Sequence, residues 1–124
     1  VINGRELHEL AGGDHARGVG ITQVMPSPFS GVTRIAREYN EALQRFAPGE
    51  EASYTSFEEY VGARVLLEAI RRTRGNPTPA TVMQSLERLE VDLGGFAVRF
   101  APGDRLGSRH VEVTLLGRGG THLR

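Results

Sequence analysis

The segment 53–74, with the sequence SYTSFEEYVGARVLLEAIRRTR, limits the possible folds of this 124-residue chain more than any other stretch. It has no proline and a single glycine, so it is predicted to form one long helix with Thr55 or Ser56 as its N-cap. Beyond the first turn its charged side chains share one side of the helix, whereas small and apolar residues cover an arc of about 200°. So wide an apolar arc requires contacts on two sides, typically with a sheet and with a second helix.

The composition excludes several classes of function. The 15 basic residues, all of them arginine, balance 15 acidic residues, so the chain has no overall field that attracts nucleic acid or an anionic membrane. Cysteine is absent, which excludes disulfides, thiol catalysis and thiolate metal sites. No apolar run approaches the roughly 18 residues that a membrane-spanning helix requires. The composition is that of one domain, or of part of one.

The residues before this helix predict a short helix and a strand. Val1 and Ile2 are interpreted as the end of a strand, and Asn3 as the cap of a helix over residues 5–11. The segment 18–25, GVGITQVM, is mostly apolar at both sets of alternating positions. That pattern predicts a strand that is covered on both faces, as in an α/β sheet.

A short proline-rich connector, Pro26-Ser27-Pro28, ends that strand. Neither proline can donate a hydrogen bond to a strand ladder, and both restrict the backbone to extended conformations. Two interpretations of this stiff segment stay open. It is either an ordinary loop or a crossing between two lobes.

Two further helices and a hairpin complete the predicted elements. Ser30 is the expected N-cap of a helix that ends at Phe46, and Thr78 is the expected N-cap of a helix over residues 79–89. The segments 96–100 and 110–116 each place apolar residues on one face. Because turn residues separate these two segments, they are predicted to pair as an antiparallel hairpin.

The sequence contains no catalytic or cofactor motif. It has no serine in a nucleophile elbow, and no phosphate-binding loop or dinucleotide-binding glycine pattern follows a strand. Glu90, Asp92 and Asp104 fall in predicted turns, where nothing pairs them as acid and base. The spacing of His8 and His15 matches no standard pair of metal ligands. We therefore expect a chain that is not an enzyme and that holds neither a metal nor a cofactor.

Four stretches, taken in their order, resemble a known family. GVGITQVMP at 18–26 is similar to a strand that ends in a proline-marked crossover, and SY…Y…LLEA within 53–69 is similar to a helix of that family. Residues 79–89 are similar to its next helix, and FAVRF with the later VEVTL are similar to its closing strands. The chain thus resembles the C-terminal third of a type I periplasmic solute-binding protein. The nearest branch binds leucine, isoleucine, valine and related small acids for ABC transporters.

The resemblance implies a fold of class α/β. The chain is expected to be a C-terminal fragment of a two-lobed, three-layer α/β/α fold, with helices in the middle and a terminal antiparallel hairpin. Residues 1–124 would form one partial domain: 1–28 belong to the C-terminal lobe and the hinge, 29–90 are helices that pack on the N-terminal lobe, and 94–124 are the closing hairpin. Pro26, Ser27 and Pro28 are then expected to act as a hinge.

The resemblance also implies a function and a ligand site. The protein is expected to be the extracytoplasmic solute-binding component of an ABC uptake system for amino acids or related small carboxylates, located in the periplasm or outside the cell. An ABC permease would be its partner, and neither nucleic acid nor a cofactor is expected. Tyr54, Thr55 and Phe57 match the place where the family lines its cleft with an aromatic residue, although capping and core packing also account for them.

Two alternative functions and one expectation about assembly remain. The same fold serves ligand-sensing receptors and regulators, and a stand-alone α/β interaction domain is a third class. Without its first lobe, the chain would expose the apolar arc of the long helix. We therefore expect the chain to dimerise or to exchange elements, burying Val65, Leu66, Leu67 and Ile70 against a second copy.

Overall fold

The computed structural model describes residues 4–123 and has a mixed α/β fold. It consists of four helices, five short strands and two single turns of 3-10 helix within that range. The α/β class predicted from the sequence is confirmed. The expected strand end at Val1 and Ile2 and the expected cap at Asn3 lie outside the described residues. The elements are α1 (Gly4–Leu10), β1 (Gly20–Gln23), α2 (Arg34–Phe46), α3 (Tyr54–Arg72), α4 (Pro79–Leu86), β2 (Glu90–Asp92), β3 (Ala97–Arg99), β4 (Glu112–Leu116) and β5 (His122–Leu123).

The main core lies between α2, α3 and the two-stranded sheet formed by β2 and β3. Ile35 of α2 and Phe57 of α3 are completely enclosed, and Val98 of β3 closes the core from the sheet side. The rings of Tyr39 and Phe57 pack with their centroids 5.0 Å apart. Burial of such side chains contributes roughly 1.5–3 kcal/mol each, so this layer is the main source of stability for the helices.

The helix caps follow the usual chemistry, but two of them lie at other residues than expected. α3 is capped by Ser53, whose side chain accepts a hydrogen bond from the Ser56 amide at 3.1 Å, and not by Thr55 or Ser56. α2 is capped by Thr33 and not by Ser30. In both helices a serine or threonine lies close to the predicted cap, and the tertiary structure decides which one takes the role.

The last predicted helix is capped as expected but is shorter. Thr78 caps α4 and exchanges hydrogen bonds with Thr81 in a capping box, with Pro79 in the first turn. The helix ends at Leu86, and Leu89 is buried instead in the approach to β2. The amide of Phe100 donates to the Leu89 carbonyl at 2.8 Å, which extends the strand pairing and stops the helix early.

The long helix α3 packs against other elements on more than one side, as its wide apolar arc predicts, through the core that it shares with α2 and β3 and through its contact with α4. On one side Arg64 pairs with Glu38 of α2 at 2.6 Å, and on the other side Ser85 of α4 donates to the Ala69 carbonyl at 2.8 Å. Part of the arc nevertheless stays open to solvent: Leu66 is 46 % exposed and Leu67 is 49 % exposed.

The predicted pairing of segment 96–100 with segment 110–116 is wrong. β3 pairs with β2 instead, in a tight hairpin in which Val91 lies opposite Val98. Glu90 and Asp92 are both in β2 and not in turns, and the Asp92 carboxylate accepts hydrogen bonds from the amides of Gly94 and Gly95 at 2.6 and 2.7 Å. Both glycines have positive φ, which suits the Gly-Gly turn, so the local partner is the one that pairs with β3.

β4 is the central strand of a three-stranded antiparallel sheet of order β1-β4-β5, with the early strand β1 on one side and the last strand β5 on the other. Thr22 of β1 lies opposite Val113, and Leu116 lies opposite His122 of β5. A terminal antiparallel hairpin is therefore present, and it consists of β4 and β5. The strand predicted at segment 110–116 is therefore confirmed, but its partners are β1 and β5 and not segment 96–100.

The expectation that the first strand is covered on both faces is also wrong for this chain. Thr22 and Val113 share one face of the sheet, and both are exposed, Val113 by 62 %. The opposite face packs inward through Thr114 and Leu116, which are almost fully buried. Within residues 4–123 this sheet is covered on one face only. Its open face nevertheless carries apolar residues such as Val113 and Leu115, which is the pattern of a strand that is packed on both faces.

Candidate ligand cleft

A cleft of about 730 Å³ opens where the N-terminal end of α3 faces β5 and the start of α1. Its walls come from parts of the chain that are far apart in sequence. Gln23 belongs to β1, Tyr54 and Thr55 begin α3, and His122 belongs to β5. The cleft therefore forms only when the three-stranded sheet lies against the helical layer.

Three aromatic rings meet at this cleft. Tyr54 lies edge-on to Phe29 with ring centroids 5.7 Å apart, and edge-on to His122 at 5.1 Å. Phe29 and His122 are stacked at 6.0 Å with an interplanar angle of 18°. Phe29 is 52 % exposed, so one large apolar ring is available to a ligand in the cleft. We call Phe29, Tyr54 and His122 the aromatic cluster.

The three residues predicted to contact ligand occupy different environments. Tyr54 is 9 % exposed and lines the cleft with its neighbour Thr55, which is exposed. Phe57 points into the main core, where it is fully enclosed and packs on Tyr39. Phe57 therefore supports the helix beneath the cleft, whereas ligand contact by Tyr54 and Thr55 stays a prediction.

Hydrogen bonds hold the first turn of α3 in place. The hydroxyl of Tyr39 on α2 accepts from the Ser53 amide at 3.2 Å and shares a hydrogen bond with the Ser56 hydroxyl at 2.6 Å. The Tyr54 hydroxyl donates to the Glu112 carboxylate of β4 at 3.4 Å. The helix start is thus attached both to α2 and to the three-stranded sheet.

His122 lines the cleft from β5, where burial favours the neutral form of its ring. Its Nδ1 atom shares a hydrogen bond with the buried hydroxyl of Thr114 at 3.0 Å. Burial lowers the pKa of His122 below its ordinary 6.5, because desolvation disfavours the charged ring. At neutral pH the imidazole is therefore mainly uncharged and contributes an aromatic ring to the cleft.

The charges around the cleft are of both signs. The N-terminal end of α3 carries the positive end of the helix dipole and borders the cleft at Ser53, Tyr54 and Thr55. Glu50 and Glu51 line the same cleft from the preceding loop, and Glu51 pairs with Arg5. Glu50 is exposed and has no ion-pair partner within the part of the chain that the structure describes.

The proline-rich connector lies beside the cleft and is firmly packed. Pro26, Ser27 and Pro28 are all buried, and the Pro28 carbonyl accepts a hydrogen bond from the Asn40 amide group at 2.7 Å. The Ser27 hydroxyl oxygen accepts from the Phe29 amide at 3.3 Å. This connector takes the chain from β1 to α2 and thereby joins the sheet to the helical layer. Its role as a hinge stays a prediction.

Phe29 and His122 were not predicted from the sequence as members of a ligand site. The signal for Phe29 would have been a large aromatic residue directly after the proline-rich connector. His122 has no comparable signal, because only the pairing of β5 with β4 brings it to Tyr54.

Residues 4–123 contain neither a cluster of metal ligands nor a membrane-spanning helix. No group of three or more histidine, aspartate or glutamate residues in that range is placed to hold a metal ion. Among the helices described, none has both the length and the apolar character that crossing a bilayer requires.

Comparison with known proteins identifies a structural match but no sequence family. No family model and no curated protein matches the sequence. A possible leucine/isoleucine/valine-binding protein from Rhodopirellula baltica matches 98 % of the chain at 28 % identity with a TM-score of 0.85, over 33 % of its own length. A substrate-binding periplasmic protein from Ralstonia solanacearum matches 94 % of the chain at 37 % identity with a TM-score of 0.82, over 34 % of its length. An extracellular ligand-binding receptor from Verminephrobacter eiseniae matches 98 % at 29 % identity with a TM-score of 0.85, over 35 %. The chain thus spans about a third of each of these proteins.

Proposed function

The chain has the fold of a type I periplasmic solute-binding protein over about one third of that fold, and from this premise we propose that the whole protein binds a small solute outside the cytoplasm. The solute is an amino acid or a related small carboxylate, taken up by an ABC transporter. The single observation that supports this most is the match of almost the entire chain, with TM-scores of 0.82–0.85, to three binding proteins.

The cleft supports an amino acid as the solute. A carboxylate is favoured at the N-terminal end of a helix, and α3 supplies such an end beside Tyr54 and Thr55. An ammonium group is favoured beside a carboxylate without a partner, and Glu50 supplies one. The exposed ring of Phe29 suits an apolar side chain. In this proposal a zwitterion with an apolar side chain finds a complementary group for each of its parts.

The proposed mechanism is closure of two lobes around the solute. The buried connector Pro26-Ser27-Pro28 is the hinge in this proposal, because it joins the three-stranded sheet to the helical layer beside the cleft. Tyr54 and Thr55 contact the solute from the helical side. Closure of this kind presents a new surface to an ABC permease, which is the proposed partner.

A ligand-sensing receptor of the same fold is the second candidate function. The match to an extracellular ligand-binding receptor at 29 % identity favours it. Both functions use the same cleft, so binding measurements alone do not separate them. Deletion of the gene separates them, since uptake of the bound solute is lost for a transport component and retained for a sensor.

A screen of the full-length protein tests the proposed solute class. Amino acids and small carboxylates are added one at a time, and a ligand that binds the folded state raises the melting temperature. The proposal expects a shift with at least one apolar amino acid, and a smaller shift with the variant E50Q. A protein that responds to sugars and to no amino acid or carboxylate would contradict it.

A further inference from the structure

A second hollow, which shares no lining residue with the ligand cleft, lies between the C-terminal end of α3 and one side of α4. Its volume is about 460 Å³, and both polar and apolar atoms form its walls. Three arginines border it: Arg72 is the last residue of α3, Arg74 lies in the loop after it, and Arg88 follows α4. Thr81, Gln84 and Ser85 of α4 complete much of the wall with hydroxyl and amide groups.

The charges around this hollow do not cancel. Arg72 pairs with Glu68 at 3.0 Å, and Glu87, which also lines the hollow, is 3.8 Å from Arg105. Arg74 and Arg88 have no acidic partner among residues 4–123. Two uncompensated guanidinium groups therefore border one hollow in a chain whose formal net charge is zero.

The carbonyl groups at the C-terminal end of α3 repel an anion in this hollow only weakly. A helix C-terminus carries partial negative charge, which disfavours anions. However, the Ala69 carbonyl accepts from the hydroxyls of both Thr73 and Ser85, at 3.0 and 2.8 Å, and the Ile70 carbonyl accepts from the Thr73 amide at 3.1 Å. Carbonyls that already accept hydrogen bonds repel an anion less than free ones do.

We propose that this hollow binds a small oxyanion, either free phosphate or the carboxylate or phosphate groups of a metabolite, between Arg74 and Arg88. Guanidinium groups bind such oxygens through paired, charge-assisted hydrogen bonds. The Gln84 side chain also lines the hollow and can donate to a remaining oxygen, whereas the Thr81 hydroxyl already donates to the Thr78 carbonyl at 3.1 Å. The hollow is open to solvent, so the site exchanges its anion readily and binds in the millimolar range.

The experiment is a titration of the purified protein with sodium phosphate, followed by backbone amide NMR at constant ionic strength. Succinate is the second ligand, because it separates a site for phosphate from a general site for oxyanions, and chloride at equal ionic strength is the blank. The expected result is saturable shifts at Thr73, Arg74, Ser85 and Arg88, with phosphate or succinate but not with chloride. Shifts that grow linearly with concentration and spread over the surface would overturn the proposal.

Variants separate a built site from general attraction to arginine. R74Q and R88Q are each expected to weaken binding about threefold to tenfold, which is the range for loss of one partly exposed charged contact. R17Q is the matched control, because Arg17 is exposed, has no acidic partner among residues 4–123 and lies outside the hollow. An equal loss with R17Q would contradict the site. Each variant removes an exposed charge, and unchanged amide spectra elsewhere confirm that the fold is retained.

Discussion

The ring of Tyr54 lies edge-on to the ring of His122, with centroids 5.1 Å apart, and this contact joins the start of α3 to the last strand. The Tyr54 hydroxyl also donates to Glu112 on the neighbouring strand β4. Tyr54 therefore connects the helical layer to the three-stranded sheet at the cleft. A residue in this position affects both the stability of the junction and any ligand that binds beside it.

Replacement of Tyr54 is expected to separate these two effects. Y54F keeps the ring and removes the hydroxyl, so the free energy of unfolding should fall by only about 0.5–1.5 kcal/mol. Y54A also removes the ring and should cost about 3–5 kcal/mol. Solute affinity in the full-length protein should fall at least tenfold in Y54A and less than threefold in Y54F, given an aromatic contact worth about 1.4 kcal/mol.

The affinities are measured by calorimetry and the stabilities by urea unfolding. Y60F is a useful control, since Tyr60 packs on Tyr39 in the helical layer and does not line the cleft. If Y54A binds the solute as tightly as the natural protein does, Tyr54 is a junction residue only.

The ion pair of Glu38 with Arg64 should make the free energy of unfolding depend on pH in the acidic range. The hydrogen bond from Arg64, followed by the nearby positive charges, lowers the pKa of Glu38 below its ordinary 4.5. A carboxyl whose pKa is depressed by folding stabilises the fold above its ordinary pKa, and that contribution is lost as the pH falls through the folded value. The free energy of unfolding should therefore decrease below about pH 4.5, and E38Q should decrease less steeply.

The matched control for this pair is E41Q, because Glu41 is exposed on the same helix. Urea unfolding at a series of pH values from 7 to 3 gives the slopes. An E38Q curve that runs parallel to that of the natural protein would show that the pair does not contribute to the acid dependence.

His122 should make the free energy of unfolding depend on pH in a range above that of Glu38. Its pKa is lowered by burial, so the unfolded chain takes up a proton at this residue more readily than the folded chain does. The free energy of unfolding should therefore fall as the pH drops below 6.5, the ordinary pKa of histidine. NMR titration of the imidazole should give His122 a midpoint below its ordinary 6.5. A midpoint at or above 6.5 would contradict this assignment.

A side chain at Gly95, in the Gly-Gly turn between β2 and β3, should destabilise the fold. This residue has φ +88°, and an added Cβ would lie 3.2 Å from the Thr33 methyl carbon at the cap of α2. G95A combines a left-handed backbone, which costs about 1–2 kcal/mol, with this close contact. G103A is the matched control, because Gly103 has φ +82° and nothing lies within 4 Å of its added Cβ. The loss in melting temperature should be larger for G95A, and equal losses would show that the contact with Thr33 is relieved without cost.

The open apolar part of α3 should lead the 124-residue chain to associate. Leu66 and Leu67 are both nearly half exposed, and Ile70 is 36 % exposed. We expect a dimer or an exchange of elements by light scattering at tens of micromolar, and a monomer for L67Q/I70Q. The double variant R71Q/R72Q changes the charged side of the same helix and should leave association unchanged. A natural chain that is monomeric at these concentrations would contradict the expectation.

The sequence alone determined the class of the fold and most of its elements, because these depend on local patterns. Periodicity and turn residues were sufficient to predict α2, α3 and α4, and Thr78 was correctly predicted as the cap of α4. The resemblance to periplasmic binding proteins also rested on short stretches in their order, and the structural comparison confirms it. The prediction placed Tyr54 and Thr55 at the start of the long helix, where the cleft lies.

Only the tertiary structure decided which strands pair and which residues meet at the cleft. The strand patterns of β3 and β4 allow them to pair with each other, but the Gly-Gly turn gives β3 a closer partner and leaves β4 to β1 and β5. That pairing alone brings His122 to Tyr54, and enclosure by α2 places Phe57 in the core. A residue pattern records which face of an element is apolar, whereas the identity of the opposing element depends on long-range packing that no local pattern contains.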